Sequence, residues 1–147
     1  MNDETKKSFE HAWKYFEIHT NQRVTVFNFY IAIIGLLAAG SGVCIQQGYE
    51  YLTSIMGMLI SLISFLFYKL DERVSILIKR AEKVLEKIEE GFEKPTLMIF
   101  KSDSNDLNLN TSFLSPWNYG KCFRVSFFMV FNMGLLILIY PTFKLYQ

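Results

Sequence analysis

The sequence predicts an all-α integral membrane protein, with three transmembrane helices and amphipathic cytoplasmic helices before the first span and after the second. Three observations carry this. Apolar residues, 51% of 147, gather into three blocks without a single charge. The charged residues, 20% of the chain, fall almost entirely between those blocks. The basic ones lie nearly all on one side of them. The apolar share alone is close to that of an ordinary globular protein, so the segregation, not the composition, points to a bilayer. Length leaves room for one domain, 1–147.

In residues 1–23, Phe9, Trp13, Phe16 and Thr20 recur at spacings of four, three and four, which predicts an amphipathic helix running from about Glu4 into the first span. The first apolar block, 24–44, matches a hydrocarbon core of roughly 30 Å at 1.5 Å per residue. A cleaved signal peptide is the rival reading, with Ala38 and Gly40 placed as a small-residue cleavage site. Against it stand the long segment ahead with Asp3, Glu4, Glu10 and Glu17, and an apolar run longer than signal peptides carry.

The second block, 51–68, follows so closely that the two spans must form a tight antiparallel hairpin. Beyond it, Val74, Leu77, Ile78, Ala81, Leu85, Ile88 and Phe92 hold one face, with Arg73, Lys79, Lys83, Glu86, Lys87 and Glu90 largely elsewhere. This predicts a cytoplasmic amphipathic helix over 69–94, continuous with the second span. Gly91 and Pro95 supply stop signals, and the Ser, Asp, Asn and Thr that follow read as a loop region over 95–121, or as a short element of unassigned type within it. The third span, 125–143, contains Pro141 near its end, where a proline can terminate a helix with little backbone penalty.

Of the 15 lysines and arginines, only Lys144 lies beyond the third span. By the retention of basic residues in cytoplasmic segments, this sets the N-terminus in the cytoplasm and the C-terminus in the periplasm of a bacterial inner membrane. Tyr49, Tyr51, Tyr140 and Tyr146 mark the outer border, and Tyr68, Trp117 and Tyr119 the inner, at the headgroup level that amphipathic rings favour.

The densest polar constellation precedes and enters the first span: His11, Tyr15, His19, Gln22, Arg23 and Asn28. On a helix His11 shares a face with Tyr15, and His19 with Arg23. One reading is a polar cluster at the inner mouth of a membrane assembly. The other is that Arg23 snorkels to phosphates while the remaining groups satisfy interfacial hydrogen bonds. Asn132 lies inside the third span, where an unpaired amide is costly. It is expected to find a partner on a helix of the same chain or of a neighbouring subunit, as structural glue ahead of pore lining. Small residues line up as Ala32, Gly35, Ala39 and Gly42 on the first span and Ser54, Gly57, Ser61 and Ser64 on the second, a pattern that lets helices pack closely.

No enzyme motif is found. His11 and His19 have no arginine upstream, so the arginine and histidine pattern of metal-independent HEPN ribonucleases cannot be built. Zincin, nucleophile-elbow and phosphate-loop motifs are missing too. Glu82, Glu86, Glu89, Glu90 and Glu93 read as a solvated helix face. Cys44 and Cys122 lack metal or redox spacing and are expected to be unlinked, lying near opposite borders of the membrane. The expectation is a non-enzyme without cofactor or metal. A net charge of +1 predicts no direct nucleic-acid binding.

The string Trp13, Tyr15, Phe16, His19, Gln22, Arg23, Phe27, Asn28, Phe29 ahead of a glycine-rich span resembles small multi-pass membrane proteins of bacterial antiphage systems. So does the later stretch Leu70, Asp71, Arg73, Leu77, Ile78, Ala81, Glu82, Leu85, Glu89. These proteins are the transmembrane effectors of retrons and the membrane accessory proteins of type VI-B CRISPR systems. Some of the CRISPR-associated members carry a HEPN-like arginine and histidine motif, which this chain lacks. The resemblance implies a dormant membrane protein in contact with lipid that forms homo-oligomers. A cytosolic partner would activate it to permeabilise or depolarise the inner membrane. The alternative is a non-catalytic membrane anchor or scaffold for a cytosolic partner.

Overall fold

The computed structural model describes residues 3–91, 98–102 and 117–145. It consists of α1 (Asp3–Gln47), α2 (Glu50–Glu89) and α3 (Tyr119–Leu145), with one helical turn at residues 99–102. No strand occurs among the described residues. All three long helices contain stretches long and apolar enough to cross a membrane.

Asp3 and Glu4 occupy the first turn of α1, where carboxylates complement the exposed N–H groups, and Lys7 pairs with Asp3 at 2.8 Å. The helix runs on to Gln47 because nothing in it breaks the hydrogen-bond ladder. Its end is a Schellman motif: the Gly48 N–H donates to the Ile45 carbonyl at 3.2 Å and the Tyr49 N–H to the Cys44 carbonyl at 2.9 Å. Gly48 has φ of +72°, a left-handed conformation that glycine adopts without a Cβ penalty. This one residue turns the chain into α2.

α2 continues unbroken to Glu89, and the Gly91 N–H closes on the Ile88 carbonyl at 3.2 Å. The helix stops short of the expected 94, with Glu90 and Gly91 in a turn, and Phe92, Glu93, Pro95 and Tyr146 lie outside the described residues. The short element left open within 95–121 is the helical turn at 99–102, and the loop reading is corrected at its end, because α3 already starts at Tyr119. Pro141 lies near the end of α3, which continues past it to Leu145. So near the terminus a proline forfeits only one ladder bond, and the Thr142 hydroxyl donates to the Ile139 carbonyl at 2.6 Å beside it.

The single domain expected from length divides into two compact units, Met1–Arg23 with Arg73–Asn118, and Val24–Glu72 with Tyr119–Gln147. Apolar and charged segments each find packing partners of their own kind. In the second unit Tyr30, Phe123 and Phe127 form a buried cluster with Phe27, Ile34, Ile63, Phe67, Tyr68 and Val130 against it. The Phe27 and Phe123 rings stack at 4.0 Å, and Phe127 meets Tyr30 edge-on at 4.7 Å. In the first unit Ala12, Ile78, Ala81 and Leu85 are buried, and Phe100 sits edge-on to both Trp13 and Phe16, at 6.2 and 5.5 Å.

Candidate functional site

In the second unit α2 and α3 approach so closely that their backbones touch. A Cβ on Gly57 would run into the Leu138 backbone and lie 2.7 Å from the Gly134 carbonyl oxygen, and one on Gly134 would lie 2.9 Å from the Gly57 oxygen. Around this crossing the Ser54 hydroxyl donates to the Leu138 carbonyl at 3.3 Å and the Ser61 hydroxyl to the Phe131 carbonyl at 3.2 Å. Ser64 donates to its own helix at Ile60, 2.8 Å, and lies 3.0 Å from the Tyr30 hydroxyl. The α2 row Ser54, Gly57, Ser61, Ser64 is therefore a helix–helix contact. Its partners are α3 and, at Ser64, α1.

The α1 row differs. Ala32, Gly35 and Ala39 are exposed and Gly42 is half-buried, and a Cβ on either glycine would meet nothing. The face that α1 turns inward is Tyr30, Ile34, Leu37, Ser41 and Cys44, at spacings of four and three. Both rows have helical periodicity. Larger side chains won the interior because Tyr30 fills the aromatic cluster and Ser41 satisfies itself on the Leu37 carbonyl at 2.7 Å. Both cysteines are free, Cys44 buried and Cys122 exposed.

Tyr30 is fully buried and was not singled out from the sequence, where it looks like one aromatic among many. We expect Tyr30→Phe to cost about 0.5–1.5 kcal/mol, the net worth of one buried hydrogen bond. Tyr30→Ala should cost about 3–5 kcal/mol from the cavity it leaves. Thermal unfolding of the two variants in detergent checks the ordering.

At the end of the second unit that carries its charges, Asp71 is buried and lies 3.9 Å from the Arg124 guanidinium. Lys69 and Glu72 pair at 2.8 Å one helical turn apart. The hydrogen bond and charge of Glu72 raise the Lys69 pKa, and those of Lys69 lower that of Glu72. The Glu72 contribution is thus complete above the ordinary glutamate range and fades as pH falls through its depressed value. The exposure of both side chains to solvent keeps it small.

The expected inner-mouth cluster is spread out. His11, Tyr15, His19, Gln22 and Arg23 belong to the first unit, and Asn28, exposed, to the second. The Tyr15 and His19 rings stack at 4.1 Å, and His19 Nδ1 donates to the Tyr15 carbonyl at 2.8 Å. His11 and Tyr15 instead join Ser8, Ala12, Arg80, Ala81 and Val84 in lining an open cleft of about 360 Å³. Among the described residues Asn132 reaches no other helix: its side-chain amide donates to the Phe128 carbonyl of α3 itself, at 2.7 Å, and the residue is exposed.

Glu89 corrects the reading of the acidic row as solvated. It is 3% exposed and caps the turn at 99–102. One carboxylate oxygen accepts the Ile99 and Phe100 N–H groups at 3.1 and 3.2 Å, and the other the Lys101 N–H at 3.1 Å. The signal was present, since Glu89 follows Leu85 by four and shares the face of Ile78 and Ala81. Among the described residues, no cluster of histidine, cysteine or carboxylate side chains is arranged to hold a metal.

Comparison with known proteins gives one strong relationship. Over 143 residues the chain is 54% identical to CD-NTase-associated protein 19 of Escherichia coli, covering 96% of this chain and 95% of that protein. The chain belongs to the CD-NTase-associated protein 19 family. No family model and no solved structure matches it. The kinship is thus with a CD-NTase-associated protein, and the likeness to retron and type VI-B CRISPR membrane proteins stays a resemblance.

Proposed function

We propose that the chain is the membrane effector of a bacterial antiphage system of the CBASS type. In this reading it spans the inner membrane three times with its N-terminus in the cytoplasm and its C-terminus in the periplasm. It assembles as a homo-oligomer and permeabilises or depolarises the membrane when a cytosolic partner of the system activates it. The observation that carries the antiphage role is the near full-length kinship with CD-NTase-associated protein 19. What supports the membrane role is three helices of sufficient length and apolarity, with large apolar side chains such as Phe29, Leu36, Met58, Phe128 and Leu136 turned outward. Chemistry of its own is not part of the proposal, and neither is a cofactor or direct binding of nucleic acid.

A second reading, a membrane anchor or scaffold without a conducting state, draws on the first unit. There Trp13, Ile18, Ile76, Val84 and Ile99 are exposed, apolar surface that a cytosolic partner would cover. Membrane potential separates the two. Expressed with its neighbouring genes and challenged by phage, the effector collapses the potential of the host before lysis. An anchor leaves the potential intact while deletion still abolishes protection.

If the protein conducts, copies of Arg23 gathered by symmetry at the inner mouth would disfavour cations. Arg23→Gln should shift selectivity toward cations, read as a changed reversal potential across a salt gradient.

A further inference from the structure

We infer that two copies of the chain associate through parallel α3 helices paired at Asn132, an inference that rests on the membrane-spanning reading above. Asn132 is the midpoint of Tyr119–Leu145 and lies well inside the apolar run 125–143, so a spanning α3 carries it in hydrocarbon. α3 buries Phe123, Phe127, Gly134 and Pro141 within its unit. The opposite face, Phe128, Met129, Asn132, Met133 and Leu136, recurs at spacings of one and three and is exposed along its whole length. Asn132 is the one polar residue among these five.

The bond to the Phe128 carbonyl fixes which way the amide points, because only the nitrogen can donate to that oxygen. One N–H is thereby used, while the second N–H and the carbonyl Oδ1 have no partner among the described residues. Water would satisfy them at a surface; hydrocarbon cannot. What remains is one donor and one acceptor side by side, and the group that answers both at once is another amide presented the other way round.

A second copy supplies it without adjustment of register. All copies insert with one topology, so their α3 helices run parallel and every Asn132 lies at one depth. Across a two-fold axis each Nδ2 then donates to the other copy's Oδ1, an isologous contact. The flanking Met129 and Met133 are unbranched and adapt their shape to an identical neighbour. A single asparagine on an otherwise apolar seam is also the feature that fixes register and partner number in parallel helix pairs.

The test uses the full chain in lipid vesicles, without its partner, with Cys44 and Cys122 replaced by alanine. Cysteines introduced at Met129 or Met133 should cross-link between copies, whereas one at Ile33, exposed on α1, should not. Energy transfer between labelled copies, followed as the protein is diluted with lipid, should show Asn132→Leu weakening association by about ten-fold to several hundred-fold, the range of the two interhelical hydrogen bonds that the symmetric pair would lose. Asn132→Gln should restore part of it. Leucine only increases the apolarity of the span, so insertion is retained. Association with cross-linking at Ile33 and indifference to Asn132→Leu would overturn this interface but leave an oligomeric effector standing. Monomers at every dilution would also overturn it, and the conducting role would then stand or fall separately, on the membrane potential measured with the partner present.

Discussion

Replacing Gly57 or Gly134 with valine should separate α2 from α3 and unfold the second unit. Even the first carbon of a side chain at either position would overlap the facing backbone, with 2.7 Å to the Gly134 oxygen in one case and 2.9 Å to the Gly57 oxygen in the other. Backbone cannot rotate aside as a side chain can. Ordinary overpacking costs about 1–3 kcal/mol; here the helices must also part, which breaks the Ser54 and Ser61 bonds to the Leu138 and Phe131 carbonyls. We expect a loss of about 3 kcal/mol or more, and loss of the α2–α3 contact in cysteine cross-linking. Gly35→Val makes the contrast. A Cβ at Gly35 meets nothing within the chain, so the fold should be retained, even though the sequence presents Gly35 and Gly57 as equivalent members of small-residue rows.

Glu89→Ala should release the turn at 99–102. The carboxylate accepts three backbone N–H groups from a position that is 3% exposed, and hydrogen bonds to a charged group contribute about 1.5–3 kcal/mol. The expected loss in the first unit is about 2–3 kcal/mol, beyond the typical 1 kcal/mol of a surface helix cap. Exchange of the Ile99, Phe100 and Lys101 amides with solvent should accelerate by at least an order of magnitude. Glu89→Gln should lose less, because its amide oxygen still accepts although its NH2 cannot. Glu82→Ala, on the more exposed side of α2, should leave those rates unchanged.

The three helices were legible because each carries a long uncharged apolar run, and such runs stand out whatever the detail of packing. Which face of each helix packs was less legible. Ala32, Gly35, Ala39 and Gly42 carry the same period as Ser54, Gly57, Ser61 and Ser64, yet only the second row is in contact. Deciding between them requires knowing where Tyr30 and Gly134 lie, which is a property of three helices together. Glu89 shows the opposite error. Its place on the Leu85 face is readable, but a carboxylate in an acidic helical row reads as solvated, and the N–H groups it serves come from a segment that has no pattern in sequence. Asn132 was recognised as needing a partner; that its own helix answers only part of the need required the coordinates.

Conductance tests the central claim most directly. The full chain, purified and reconstituted into planar bilayers with the cytosolic partner that activates it, should open ohmic or voltage-modulated currents that vanish when the partner is left out. Silent bilayers, under conditions where cross-linking proves that the chain and its activated partner are assembled, would contradict the effector account and establish the chain as an anchor.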